Sequence, residues 1–339
     1  MKLCCGIDLH SNNSVIALTT EQGEAVFQKR APNDLDTIRA LLKPYQKQIM
    51  GIVVESTFNW YWLVDGLIDA GYLVHLANPA ALQQYEGLKY SDDHHDARWL
   101  SQLLWLGILK EGYIYPKETR AVRDLARKRL QLVQQKVAHL LSIQTLISRN
   151  TGRQAGANEI RCLTEEMIHN HIQDANVALA MISNLKVFRC LETQIEVIEK
   201  TVTRQIKLMP EFRLLKSVSG IGNILSLTIM LETGDIKRFE KVGNYASYCR
   251  CVDSRRMSNG KKKGSGNSKN GNKYLAWAYV EAANFAIRYN PTIKRYYQKK
   301  KSKTNNVVAI KAVAHKLARA CFYILRDQVP FDVNKAFYS

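Results

Sequence analysis

The chain has 339 residues, 46% of them hydrophobic, and a formal net charge of +19 at pH 7. That length allows two or three domains with a sizeable core, and no apolar run reaches transmembrane length, which argues against a membrane-spanning protein. The basic balance favours polyanionic partners, nucleic acid before anionic membrane.

The first hundred residues alternate strands and helices. Residues 2–8 read as a strand, and 14–19 as its hairpin partner across a Ser-Asn-Asn turn. Residues 25–29 follow as a short third strand, then a helix over 34–42. A β-branched run at 50–55 predicts a buried strand, 60–70 a helix and 72–76 a further strand. Asn78-Pro79 starts a helix, and another runs through 96–105. Three antiparallel strands followed by helix-separated strands is the order of a ribonuclease H-like α/β domain, here given the bounds 1–114.

Strand signal nearly vanishes from residue 118 to about 208. Leu125, Leu130, Val133, Val137, Leu140 and Leu141 recur at helical spacing, as do Leu191, Ile195, Ile198, Val202 and Ile206. The pattern predicts long helices packed as a hairpin or coiled coil over 115–208, turning at a glycine-containing break at 151–158. The third segment, 209–339, opens with Ser217-Val218-Ser219-Gly220-Ile221-Gly222, like the hairpin of a helix-hairpin-helix element whose glycine amides approach phosphate. A Gly/Ser/Asn/Lys-rich stretch at 257–273 precedes helices over 274–289 and 307–327. Residues 255–303 hold fourteen Lys or Arg against one acid, Glu281, so this tract carries +13 of the +19.

The seven cysteines (4, 5, 162, 190, 249, 251 and 321) are odd in number and lack CxxC spacing. Reduced thiols in a cytoplasmic protein are expected, rather than disulfides or structural zinc. Met1-Lys2 leads straight into a strand, without a secretory signal.

Four acids stand out. Asp8 ends the apolar run Leu3-Cys4-Cys5-Gly6-Ile7, Glu55 closes Ile52-Val53-Val54, and Asp93 and Asp96 are three apart at the entry to a helix. Residues at that spacing share a helix face. Carboxylates gathered from two strand ends and a helix form a hard, oxygen-rich site suited to Mg²⁺ or Mn²⁺ and to two-metal phosphoryl transfer. Asp92 lies four residues from Asp96 and competes with Asp93, while His94 and His95 cover the adjacent face or contact phosphate. A rival for Gly6-Ile7-Asp8 is the phosphate-binding first hairpin of sugar-kinase and actin-like ATPases. The run that follows, Leu9-His10-Ser11-Asn12-Asn13, lacks the glycines of that hairpin.

Ser258 is a second candidate, in a glycine-bracketed loop with Lys261, Lys262 and Lys263 positioned to hold a phosphodiester. Such loops are also common as solvated nucleic-acid contacts without chemistry, and Ser254, Ser265 and Ser268 compete locally. The positions assigned to nucleic acid are Arg255, Arg256 and these lysines, then Lys269, Asn272 and Lys273, and finally Lys299, Lys300 and Lys301. Tyr296 and Tyr297, flanked by lysines, are placed on nucleic acid; Trp277 and Phe285 are placed in the core.

Gly6-Ile7-Asp8, Val54-Glu55-Ser56-Thr57 and Asp93-His94-His95-Asp96-Ala97 resemble the DEDD, RuvC-like domain of bacterial insertion-sequence transposases of family 110, including subgroup 1111. Ser219-Gly220-Ile221-Gly222, Glu232-Thr233-Gly234-Asp235-Ile236 with Phe239, Ser258-Asn259-Gly260-Lys261 and Lys269-Asn270-Gly271-Asn272-Lys273-Tyr274-Leu275 resemble that family's C-terminal transposase domain. The resemblance implies a RuvC-like domain, a helical linker and a mostly helical transposase domain. It implies a site-specific DNA recombinase that acts on element-end and target DNA with an element-encoded guide RNA, as a dimer of dimers. Asp8, Glu55, Asp93 and Asp96 would hold Mg²⁺, and Ser258 would attack the scissile phosphate to form a phosphoserine link, with Ser254 as its rival. The competing function is a metal-dependent nuclease or junction resolvase that hydrolyses DNA without Ser258. A third is a basic nucleic-acid-binding scaffold with incidental acids.

Overall fold

A computed structural model describes residues 1–79, 92–254, 256–264 and 270–337. The apolar runs near the start of the chain become β1 (Leu3–Leu9), β2 (Asn13–Thr19), β3 (Ala25–Pro32), β4 (Ile49–Glu55) and β5 (Val74–Ala77). They form one sheet in the order β3-β2-β1-β4-β5. β1 pairs antiparallel with β2 and parallel with β4, and β4 pairs parallel with β5. This is the RuvC/ribonuclease H-like arrangement expected from the element order. The helix predicted from Asn78-Pro79 falls largely outside the described residues.

Every residue of β1 is buried, so both faces of the sheet are covered. Leu3, Cys5, Ile7 and Leu9 pack with α1 (Leu35–Leu42) and α2 (Tyr61–Asp69) through Ile38, Leu42, Leu63, Val64 and Leu67. Alternation along a strand sends Gly6 and Asp8 to the opposite face, toward α3 (Asp93–Trp105). On that face Ala97 packs with Val15 and Ala17, and Leu100 with Val53 and Ala77. Glu55 has the parity of Val53 and faces the same way. A Cβ on Gly6 would stand 1.9 Å from the Ala97 carbonyl oxygen and 2.9 Å from the Ser101 amide nitrogen. The absent side chain is what lets α3 cross β1 in backbone contact. Thr19 and Ser101 hydroxyls, 2.8 Å apart and buried, pin the crossing, as does the Trp105 indole N–H donating to the Thr19 carbonyl at 3.2 Å.

Residues 1–117 form one compact unit and 118–339 a second. The second is mostly helical. Its long helices α4 (Lys117–Thr151) and α7 (Ala175–Ile206) run antiparallel, as their cross-pairs require: Arg129 with Glu199 at 2.6 Å, Lys136 with Glu192 at 3.2 Å, His139 with Asn184 at 2.8 Å. The turn between them is larger than the predicted break at 151–158. It contains α5 (Ala157–Cys162) and α6 (Glu165–His171), which cover Ile143, Ile147, Met181 and Ile182 at the hairpin's tip. Both are too short to display a helical period in sequence.

At the hairpin's other end, Val122, Leu125, Val202 and Ile206 join the core of the remaining helices. These are α8 (Pro210–Leu215), α9 (Asn223–Thr233), α10 (Val242–Tyr248), α11 (Lys273–Tyr289), α12 (Pro291–Lys301), α13 (Asn306–Asp327) and α14 (Val333–Phe337). Inside that core the Tyr245 hydroxyl links Tyr279 at 2.7 Å and Thr233 at 2.9 Å. The glycines between α8 and α9 divide in role. Gly220, at φ +90°, packs so tightly on α11 that a Cβ would meet the Ala282 carbonyl oxygen at 2.5 Å, whereas Gly222 has open space around it. Gly220 therefore serves packing, and Gly222 caps α9. Among the described residues no helix is long and apolar enough to cross a membrane.

Candidate active site

The end of β1, the end of β4 and the first turn of α3 converge on one face of the sheet. Asp8 is 4% exposed, and its carboxyl hydrogen-bonds Glu55. Burial raises its pKa to about 8, aided by that bond and by the charges of Glu55, Asp96 and Asp93. A carboxyl crowded by three others is the arrangement that a cation relieves. Asp93 is held below the usual carboxylate range, first by the Arg30 guanidinium hydrogen-bonded to it at 2.5 Å, then by His10. Asp96 is exposed on the same helical turn. Asp92, the competing acid, is the N-cap of α3: its carboxylate accepts from the His95 amide at 2.7 Å, which commits it to the helix end.

The sequence reading missed His10. Its Nε2 lies 3.2 Å from Asp8 and 3.5 Å from Asp93, and the three residues offer ligand atoms within 4.8 Å of one another. The side chains of Asn33 and Asn59 donate to the His10 carbonyl at 2.9 and 3.0 Å and fix the loop that carries it. A histidine two residues beyond the strand-end acid was the available signal. The donor set, oxygen-rich with one imidazole, fits a divalent cation of the Mg²⁺ or Mn²⁺ type.

Ser258 belongs to a β-hairpin, not the irregular glycine-bracketed loop expected. β6 (Arg256–Ser258) pairs antiparallel with β7 (Lys261–Gly264), with Ser258 opposite Lys261. Asn259 and Gly260 between them both have positive φ, at 49° and 69°, the signature of a type I′ turn. Asn-Gly is a strong short-range hairpin signal in any sequence, and it was legible here. The exposed Ser258 thus stands at a hairpin tip, opposite Lys261. Ser254 lies in the irregular segment before β6, half-buried.

The ends of this serine-bearing segment are stitched together. The Arg250 guanidinium donates to the Asn270 and Gly271 carbonyls at 3.1 and 2.9 Å, and the Asn272 amide donates to the Tyr248 carbonyl at 2.6 Å. Gly271, at φ +89°, is required there because a Cβ would meet the Tyr248 oxygen at 2.4 Å. Asn272 is 7% exposed; its side chain caps α11 and donates to Glu232 at 2.7 Å. Glu232, 2% exposed, receives Arg127 in a bidentate pair at 2.5 and 2.7 Å.

Lys261, Lys263, Lys273, Lys299 and Lys301 are exposed, and Lys300 is half-buried. Arg256 and Lys262 lie on β6 and β7, while Arg255, Ser265, Ser268 and Lys269 are outside the described residues. The aromatic assignments change. Phe285 is 41% exposed and stacked on Tyr289, because the core stripe of α11 runs through Leu275, Ala278, Tyr279, Ala282 and Ala286 on the other face. Trp277 keeps its place against the core, half-buried, and also lines a groove, whereas Tyr296 packs edge-on against Phe337 with their centroids 5.4 Å apart.

A RuvC/ribonuclease H-like unit with clustered carboxylates, followed by a basic helical unit, defines the class of DNA-processing phosphoryl-transfer enzymes. Residues 5–149 match the DEDD transposase model of the IS110 type, and residues 212–298 match the model described as Transposase IS116/IS110/IS902 family. The chain belongs to the IS116/IS110/IS902 family of transposases. No curated protein matches it.

Proposed function

We propose that this transposase is an RNA-guided, site-specific recombinase that cuts and rejoins DNA through Ser258. Asp8, Glu55, Asp93 and Asp96 would hold the divalent cation, with His10 beside them. When bound, the cation would neutralise charge on the scissile phosphate and favour an ionised hydroxyl. Ser258 Oγ attacks phosphorus, a phosphoserine ester forms and a deoxyribose hydroxyl leaves. Attack by the hydroxyl of the exchanging strand then restores the phosphodiester and frees the serine. The number of phosphoester bonds is unchanged, so religation needs no ATP. The chain accordingly carries no GxxxxGK[ST] loop.

The observation that carries the reading is an exposed serine at the tip of a lysine-bearing hairpin, within a chain of this family. The lysines suit the developing phosphorane charge, and Ser258 is exposed beside the type I′ turn. By resemblance, the active site would be composite, carboxylates of one subunit meeting the serine of another in a dimer of dimers. Pairing with guide RNA would select both DNAs.

The test is incubation with guide RNA, element DNA and Mg²⁺, followed by a denaturing gel. Protein covalently attached to DNA, lost in Ser258→Ala and in Asp8→Asn, is the expected result. An adduct that survives Ser258→Ala moves the nucleophile to another serine, with Ser254 next. Cleaved DNA without adduct in either protein establishes the hydrolytic nuclease instead.

A further inference from the structure

Within the second unit, α4 and α11 border a groove of about 480 Å³ that the recombination chemistry does not use. One wall is aromatic, with Tyr274 and Trp277 on successive turns of α11. The facing wall presents Lys128, Gln131 and Gln134 from α4, all exposed. Lys273 lines it at the start of α11. We propose that this groove binds one unpaired nucleotide of a nucleic-acid strand, its base against Tyr274 and Trp277 and its phosphate at Lys128 and Lys273.

The aromatic wall is held in place from inside the fold. The Arg127 guanidinium lies 4.4 Å from the Tyr274 ring centroid, and Arg127 is itself clamped by buried Glu232. Glu232 also holds Asn272, the cap of the helix that carries Tyr274. A ring fixed in this way loses little freedom when a base stacks on it. The groove's size falls within the range of small-molecule sites and suits a single nucleotide. Lys128 donates to the Gln131 side-chain oxygen at 2.8 Å, and the Gln131 amide in the lining can donate to any base edge. The one acid in the lining, Asp124, pairs with Arg123 at 3.8 Å, and the charge of Arg127 is met by Glu232. Lys128 and Lys273 are the remaining cations of the lining, and Lys273 Nζ lies 5.2 Å from the Tyr274 ring centroid, so a phosphate held there sits beside the stacked base. Bases inside a duplex already stack on each other, so the two half-buried rings that line this groove select unpaired strands. Because Lys273 and Tyr274 follow directly on the Gly271 and Asn272 contacts that close the serine segment, a strand gripped here is held at that segment's base.

The proposal rests on the recombinase reading only for where the strand comes from, and its test is independent of the covalent step. Affinity of the full chain for five-nucleotide single-stranded DNA and RNA would be measured by anisotropy, with Ser258→Ala alongside. Tyr274→Ala is expected to weaken binding about tenfold, within the range for loss of one base–aromatic stack, and Tyr274→Phe to restore it. Lys128→Ala and Gln131→Ala, on the exposed face of α4, should weaken binding without shifting the melting temperature. Ser258→Ala should bind as wild type even if no adduct ever forms. A bromouridine strand should photocrosslink to peptides of α4 or α11. Weakening for RNA alone identifies a strand read through its 2′-hydroxyl, and equal weakening a strand of either kind. Single-strand affinity unchanged in Tyr274→Ala and Gln131→Ala, equal losses for blunt duplex, or crosslinks confined to other helices would each overturn the proposal.

Discussion

Two side chains carry the sharpest expectations. Ser258 is exposed and makes none of the core contacts, so Ser258→Ala should abolish the protein–DNA adduct while unfolding free energy stays within about 0.5 kcal/mol of wild type. Urea titration and the denaturing gel check the two halves together. Asp8 gives a pH signature. Its pKa of about 8 in the folded protein lies above the ordinary 3.8, so the native state binds that proton more tightly than the unfolded chain does. The resulting stability is fully present below about pH 4 and is lost as pH rises through about 8. Without divalent ions the melting temperature should therefore drop across that window. Asp8→Asn should flatten the profile, because the amide carries no proton to lose and no charge to repel. Scanning calorimetry with and without Mg²⁺ decides it, and Mg²⁺ should raise the melting temperature most at the alkaline end. Arg127→Ala would take the cation from buried Glu232, leaving its charge to Asn272 and other neutral donors, with an expected loss of about 3 kcal/mol by denaturant titration.

At the scale of elements, the helix over β1 and the serine hairpin depend on backbone geometry that few residues supply. Gly6→Ala would force α3 off β1, since the new Cβ would overlap the Ala97 carbonyl. The expected cost is about 1–3 kcal/mol of stability with weakened Mn²⁺ binding, measured by urea unfolding and by titration calorimetry. A stable protein with intact Mn²⁺ affinity would mean that α3 can slide without disturbing Asp93 and Asp96. The strands and helices of the first unit were legible in the sequence to within a few residues, because each apolar run has a clear period and the strands are bounded by Gly, Asn and Pro. Helices α5 and α6 were not, being too short for a period to repeat. The serine hairpin was missed for a different reason. Its lysines and glycines read as loop composition, although the Asn-Gly pair marks a turn.

For the whole molecule the basic tract predicts a steep salt dependence of nucleic-acid binding. Each phosphate neutralised should contribute a log–log slope of about −0.9 on duplex DNA, so a flat response across salt concentrations would contradict the placement of the binding surface. Sequence alone marked four candidate carboxylates and the segment that bears a candidate serine, because strand ends, helix entries and turn residues are written locally. It also settled the fold order and the family resemblance. Tertiary structure decided what those residues touch. It brought His10 and Arg30 to Asp8 and Asp93, set Asp92 aside as a helix cap and turned Asn272 inward to Glu232. It also moved Phe285 to the surface and made a groove of Tyr274 and Trp277. The division has one physical cause. Periodicity and capping act over a few residues, whereas partners such as Asp8 and Asp93, or Arg127 and Glu232, are far apart in the chain and meet only through the packing of whole elements.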